Sequence, residues 1–193
     1  DVNILVLDTE VYSNTGGQSS KSSRTGSIAQ FTAAGKPVQK KDLGYIAMTY
    51  GNVFVAQVNS NASAAQVIKA FEAAEAYPGV SLIIAYSPCI AHGIKGGLGK
   101  SGNQGELATK CGYWPIYTYD PRLVDKGENP IKITGKEPDW SLYDEFLMNE
   151  VRYASLKKSN PEHAQALFDH NKKDAQRRWR QLNRLASASF ANE

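Results

Sequence analysis

Three apolar runs decide what this chain can fold into. Residues 2–7, 53–58 and 80–86 are nearly continuous in Val, Ile, Leu, Ala, Phe and Tyr, broken only by Asn3, Gln57 and Ser81. A strand with one wet face alternates polar and apolar residues. Runs like these predict strands buried on both faces of a parallel sheet. Between the second and third runs, residues 63–77 have helical spacing. Val67, Phe71 and Ala74 share a face with Ile68 beside them, while Lys69 and Glu72 fall elsewhere. Ser63 is placed to cap that helix and Pro78-Gly79 to stop it. Strand, helix, strand at this spacing is a βαβ unit, expected to be right-handed. The chain is therefore expected to be α/β, with a mostly parallel sheet and flanking helices.

The remaining elements follow from the same reasoning. Asp42 caps a predicted helix ending near Tyr50, with Gly51 closing it. A helix over about 100–112 and a strand over 114–119 complete a first unit, residues 1–120. Residues 8–40 are rich in Ser, Thr, Gly and Lys, with a short helical turn expected over 27–31. A compact domain seldom holds so long a loop unless it is functional or disordered. Pro121, Pro130 and Pro138 mark residues 120–140 as an extended connector. Helices are expected near 141–148, 161–169 and 171–187. Residues 121–193 thus form a connector and helical C-terminal extension. In the last helix Ala175, Trp179 and Leu182 make an apolar stripe among Arg177, Arg178, Arg180 and Arg184. A solvated amphipathic face is the ordinary reading of such charge.

Composition excludes several classes. A net charge of +3 with no aromatic platform gives no argument for nucleic acid. Cys89 and Cys111 are the only cysteines, so no disulfide framework is expected. No apolar run reaches membrane-spanning length, and the N-terminus is not a signal peptide. A cytoplasmic protein with no membrane partner is expected. The chain lacks an initiator Met and begins almost inside a strand, so it is expected to be a piece of a larger polypeptide whose remainder lies upstream.

Chemistry is expected where the first strand ends. Asp8-Thr9-Glu10-Val11-Tyr12-Ser13-Asn14-Thr15-Gly16-Gly17-Gln18 follows directly on residues 2–7. Open α/β sheets bind ligands at such strand ends. The Thr9 hydroxyl and the main-chain carbonyls near Val11 are hard oxygen donors, which suit Mg²⁺ with phosphates completing its shell. Gly16 and Gly17 allow close backbone approach. Most glycine-containing loops after strands are only loops, and Asn14 on its own reads as a turn residue bonded to its own backbone.

The wording of the loop is more specific. DTEVYSNTGGQ, then SSKSSRTGSIAQF and GKPVQKKDLG, resembles the thiamine-diphosphate domain of pyruvate:ferredoxin (flavodoxin) oxidoreductases. The resemblance continues through KKDLGYIAM, IAYSPCIAHG, GYWPIY and EVRYASLKK, nearly the whole chain. It implies a thiamine-diphosphate-binding fold, incomplete at its N-terminus because the GDG element of the superfamily is missing. It implies that Thr9, Glu10, Val11, Tyr12, Ser13 and Asn14 line the cofactor. Thr9 matches a side-chain ligand of Mg²⁺, and Val11 a main-chain ligand. Asn14 matches a polar residue near the reactive ring and is the expected catalytic contact. Arg24 departs from the family, where a Pro commonly stands.

Cys89 lies in Ser87-Pro88-Cys89-Ile90-Ala91-His92-Gly93, just past the third strand. A lone cysteine is more often a buried small apolar residue, yet Pro88 and the glycines that follow argue for an exposed loop. The segment resembles the one that supplies a single thiolate to a [4Fe–4S] cluster in the same family. Such clusters take four thiolates, so the others are implied to come from upstream. A zinc site on Cys89 and His92 lacks the needed ligands. Cys111 reads as a core thiol, and His163 and His170 as surface residues. Gly93–Ser101 holds a GLGKS string, but its spacing does not fit a phosphate loop.

The resemblance implies oxidative decarboxylation of pyruvate to acetyl-CoA and CO₂. Thiamine diphosphate would serve as electron sink and coenzyme A as co-substrate, with electrons passing through [4Fe–4S] clusters to ferredoxin or flavodoxin. A homodimer is implied as well. The competing expectation is an isolated, non-catalytic α/β module. A basic-tailed RNA-binding module is a third reading.

Overall fold

The computed structural model describes residues 1–190. Five strands form one sheet in the order β1-β3-β2-β4-β5: β1 (Val2–Asp8), β2 (Val53–Val58), β3 (Val80–Tyr86), β4 (Ile116–Tyr119) and β5 (Ile131–Thr134). β1 and β2 flank β3 in parallel. β4 runs antiparallel to β2, and β5 antiparallel to β4. The sheet is therefore open and mixed, with β4 alone reversed, and the fold is α/β.

Six helices surround it: α1 (Leu43–Met48), α2 (Ala64–Glu75), α3 (Ser101–Lys110), α4 (Tyr143–Met148), α5 (Val151–Ser159) and α6 (Pro161–Ala186). The expected caps form. Asp42 accepts from the Tyr45 N–H at 3.0 Å, and Ser63 from the Gln66 N–H at 3.2 Å. Each satisfies a backbone donor the helix cannot pair internally. α2 buries Ala70 and Ala74 against Phe54, Ala56, Val58 and Ile83 on one sheet face. The larger core holds Val55, Ile84, Tyr113, Trp114, Tyr143, Phe146, Tyr153, Phe168 and Leu182.

Several local expectations fail for physical reasons. β1 is largely bare: Leu5 is 49% and Leu7 63% exposed, because β1 is an edge strand from which, among the described residues, only Val6 packs against the core. Residues 120–140 are not merely extended. They hold a 3₁₀ segment, Pro121–Lys126, and then β5, which closes the other sheet edge. No helical turn forms at 27–31; Gln18 bridges Gln30, and Ala29 bridges Thr32. The two predicted C-terminal helices are one. α6 continues through His170 because its apolar stripe does, from Ala164, Leu167 and Phe168 to Ala175, Trp179 and Leu182. α5 was not anticipated. No helix of the described residues is long and apolar enough to cross a membrane.

A candidate site at two converging strand ends

β1 and β3 are adjacent and parallel, so their C-terminal ends deliver two loops to one place. Asp8 pairs with Tyr86, and the Ser87 N–H donates to the Asp8 carbonyl at 3.2 Å. The loop after β1 then closes on itself. The Tyr12 N–H donates to the Gln18 carbonyl at 3.0 Å, and the Gly17 N–H to the Tyr12 carbonyl at 2.9 Å. Gly16 and Gly17 have φ of +117° and +82°, which favour glycine.

The oxygen donors predicted for a metal lie together. The Thr9 hydroxyl donates to the Val11 carbonyl at 2.9 Å, and Ser13 Oγ donates to Thr9 Oγ1 at 2.9 Å. Neighbouring vertices of a Mg²⁺ octahedron with bonds of about 2.1 Å are about 3 Å apart. The Thr9–Val11 pair therefore fits two adjacent ligand positions. Both oxygens are neutral, so most of the shell and all the balancing charge must come from phosphates or from residues elsewhere. The described residues hold no cluster of His, Cys, Asp and Glu suited to a metal.

Cys89 reaches the same spot. Its thiol donates to Ser13 Oγ at 3.2 Å and accepts from the Ala91 N–H at 3.4 Å. The thiol is not exposed as expected. Cys89 is 7% exposed, because it caps the 3₁₀ segment Ile90–His92 while Ile90 turns outward. The described residues give it no second cysteine, since Cys111 is buried elsewhere in the core. Asn14 is exposed, and its side chain has no hydrogen-bond partner among the described residues, its own backbone included. Tyr12 is also exposed.

Glu10 does something sequence reasoning missed. Its backbone is left-handed, φ +57°, and its side chain is wholly buried. One carboxylate oxygen pairs with Arg24 Nε at 3.0 Å, the other with Arg152 Nη2 at 3.0 Å, and Lys40 lies at 3.6 Å. The Tyr113 hydroxyl donates to it at 2.5 Å. Burial alone would raise the Glu10 pKa. The surrounding Lys40, Arg24 and Arg152 charges, with the Tyr113 hydrogen bond, overcome this and hold it well below the usual carboxylate range. Arg152 also binds Glu150 at 2.6 Å, and Arg24 lies over the Tyr113 ring.

The long loop of residues 8–40 is ordered around two ammonium groups. Lys36 Nζ donates to the carbonyls of Ser20 and Ser23 at 2.9 and 2.5 Å, and Lys40 Nζ to Asp8 at 2.5 Å. Burial, with Lys40 and Lys21 nearby, lowers Lys36 to about 8. α6 braces the loop from outside, where Asn171 donates to the Thr25 carbonyl, and Arg178 pairs with Asp42, the α1 cap just past the loop.

His92 joins the two loops. It is 1% exposed, and its Nε2 lies 2.8 Å from the Thr9 carbonyl. A carbonyl only accepts, so Nε2 carries the proton. Nδ1 then accepts, over 3.5 Å, from the Cys89 N–H. Burial and the Arg152 charge lower the His92 pKa, which favours this neutral form. No local signal pointed to these partners. Arg152 is 142 residues from Glu10, and His92 is 83 from Thr9.

An α/β protein with a polar loop site at two parallel strand ends is the class these features define. The comparisons narrow it. No family model matches the chain. It is 52% identical over 186 residues to the pyruvate-flavodoxin oxidoreductase of Klebsiella pneumoniae, and 53% to the pyruvate:ferredoxin oxidoreductase of Moorella thermoacetica. Each alignment covers 96% of this chain and 16% of the relative. The mitochondrial NADP⁺ pyruvate dehydrogenase of Euglena gracilis is 48% identical over 167 residues, 86% of this chain and 9% of that protein. The chain thus matches, over nearly its whole length, a segment of pyruvate-flavodoxin and pyruvate:ferredoxin oxidoreductases, and it spans about a sixth of the length of the first two relatives.

Proposed function

We propose that this chain is a segment of a cytoplasmic enzyme that oxidatively decarboxylates pyruvate to acetyl-CoA and CO₂, passing the electrons to ferredoxin or flavodoxin. Residues 1–120 would be the C-terminal part of its thiamine-diphosphate-binding domain, and 121–193 a helical extension tied in by β5 and Arg152. The rest of the polypeptide, and a second copy in a homodimer, would complete the site. The bare apolar flank of β1 supports a covering segment from outside this chain.

One observation carries this reading. A hydrogen-bonded run links Val11 O, Thr9 Oγ1, Ser13 Oγ and Cys89 Sγ. Two oxygens spaced for a metal and a thiol that can ligate iron thus lie together at one strand end. Thr9 and the Val11 carbonyl would hold Mg²⁺ on the diphosphate. Cys89 would supply one thiolate to a [4Fe–4S] cluster, whose other three ligands lie outside this chain. When bound, thiamine diphosphate supplies the electron sink, and the cluster a one-electron exit. The chain's own part is to orient and exclude. Asn14 offers an unengaged amide beside the loop, suited to stabilising charge on a bound substrate oxygen. Tyr12 lies beside it, available to screen bound substrate from water.

Calorimetric titration of thiamine diphosphate with Mg²⁺ into the full-length polypeptide tests this. Metal-dependent binding is expected, weakened at least about tenfold by Thr9→Ala through loss of one ligand. Absence of binding to folded wild-type protein would overturn the cofactor assignment. Binding unchanged in Thr9→Ala would overturn the role given to Thr9.

A further inference from the structure

We infer that His92 is a positioning residue that fixes the spacing between the Thr9 oxygen donors and the Cys89 thiol. The inference rests on the function proposed above and extends it to a residue outside both ligand sets. A single buried imidazole touches the backbone of each loop, with Nε2 2.8 Å from the Thr9 carbonyl and Nδ1 3.5 Å from the Cys89 N–H. Past the strand ends, where the Ser87 N–H donates to the Asp8 carbonyl, the side-chain run through Ser13 also bridges the loops, and it consists of rotatable hydroxyls and a thiol. His92 is the rigid one.

The surroundings hold the ring in place. Glu150 Oε1 lies 4.0 Å from Nδ1, but Glu150 is already engaged by Arg152 at 2.6 Å and Gln104 at 3.2 Å. The stretch that carries Glu150 straps the loop after His92. The Val151 N–H donates to the Gly93 carbonyl at 2.7 Å, and the Lys95 N–H to the Asn149 carbonyl at 2.8 Å. Gly93 has φ +65°, and a Cβ there would lie 2.7 Å from Val151 Cβ. The strap therefore packs tightly against the residue that follows His92. A planar group fixed at both nitrogens and wedged from behind transmits the position of one loop to the other, as outer-shell partners do for metal ligands.

A role confined to stability would move only the thermal midpoint. Positioning must also move cofactor affinity and the signal of the cluster. The test uses the full-length polypeptide with His92→Leu, His92→Asn and His92→Gln. Three readouts apply: thermal midpoint, affinity for Mg²⁺–thiamine diphosphate by calorimetry, and the electron paramagnetic resonance spectrum of the reduced clusters. Leu and Asn cannot span the two contacts. Each is expected to weaken cofactor binding about tenfold or more and to shift or abolish one cluster signal. Gln, longer than Asn and both donor and acceptor, is expected to restore both to near wild type. If His92→Leu does not fold, His92→Asn against His92→Gln gives the same contrast. Wild-type affinity and an unchanged spectrum in folded Leu or Asn variants would overturn the inference, whatever the midpoint does. Failure of the wild-type protein to bind the cofactor is a separate result, which would overturn the proposed function itself.

Discussion

β1 and β3 are paired residue for residue and are almost equally apolar, yet they live in opposite surroundings. Leu5 faces Ile83 across the register. Ile83 is 1% exposed and Leu5 49%. β3 has strands on both sides and α2 over one face; β1 has a neighbour on one side only. The loops that follow differ in the reverse sense. After the bare strand, the loop is tied down by a buried set of charges centred on Glu10. After the buried strand, the loop is held by a 3₁₀ cap and by backbone bonds to residues 149–151. An apolar run therefore does not by itself fix how deeply its strand is buried; position in the sheet decides that. The order of the site loop does not depend on any cover over β1, since its anchors lie inside the chain.

The largest break in this comparison should come from Arg152→Met. It would leave Glu10 and Glu150 without the cation they share. Loss of one partner from a buried ion pair costs about 3–5 kcal/mol. Denaturant unfolding should show a loss of that size; a loss below about 1 kcal/mol would mean that Arg24 and Lys40 suffice.

Next come the paired strand residues. Ile83→Ala should cost about 2–5 kcal/mol in the chain alone, the usual range for a buried aliphatic truncation. Leu5→Ala should cost about 1 kcal/mol or less, because half the side chain is already in water. In the full-length polypeptide the Leu5 value should rise toward that of Ile83. An equal, small Leu5 value in both settings would show that β1 stays bare.

The gentlest probe is acid. The Glu10 pKa is depressed from its ordinary 4.5. The unfolded chain therefore takes up a proton there before the folded one, so this contribution is complete above about pH 4.5. It is lost progressively as pH falls below that value toward the depressed folded pKa. Glu10→Gln should flatten that part of the stability profile. A profile unchanged by the substitution would contradict the charge-centred anchor.

Much of the scaffold was legible because its signals are local. Asp42 and Ser63 cap as their spacing predicts, α2 follows its apolar face, and β2 and β3 follow their unbroken runs. β5 was not legible, since Ile131–Thr134 is four residues long and includes Lys132. Its strand character comes from pairing with β4. α5 has no side-chain cap and buries Arg152 beside Tyr153 and Leu156, so its inward face looks polar in sequence. At the site, Thr9, Val11, Ser13 and Cys89, which the family resemblance singled out, lie together in the fold. The groups that hold them were not given that role: Glu10 was expected to line the cofactor, His92 was weighed only for zinc, Arg24 was noted only as a departure from the family, and Lys40 and Arg152 were not singled out. Glu10, Arg24, Lys40, His92 and Arg152 are charged or polar residues on loops or at a helix start, and only the fold brings them together.

The proposed function makes the loops after β1 and β3 two parts of one redox site. Electron paramagnetic resonance of the reduced full-length polypeptide, with and without Mg²⁺–thiamine diphosphate, in wild type and Cys89→Ala, tests it most directly. One cluster signal should disappear in Cys89→Ala, and that same signal should be the one that cofactor binding shifts in wild type. A full set of cluster signals in Cys89→Ala, or a Cys89-dependent signal indifferent to the cofactor, would contradict it.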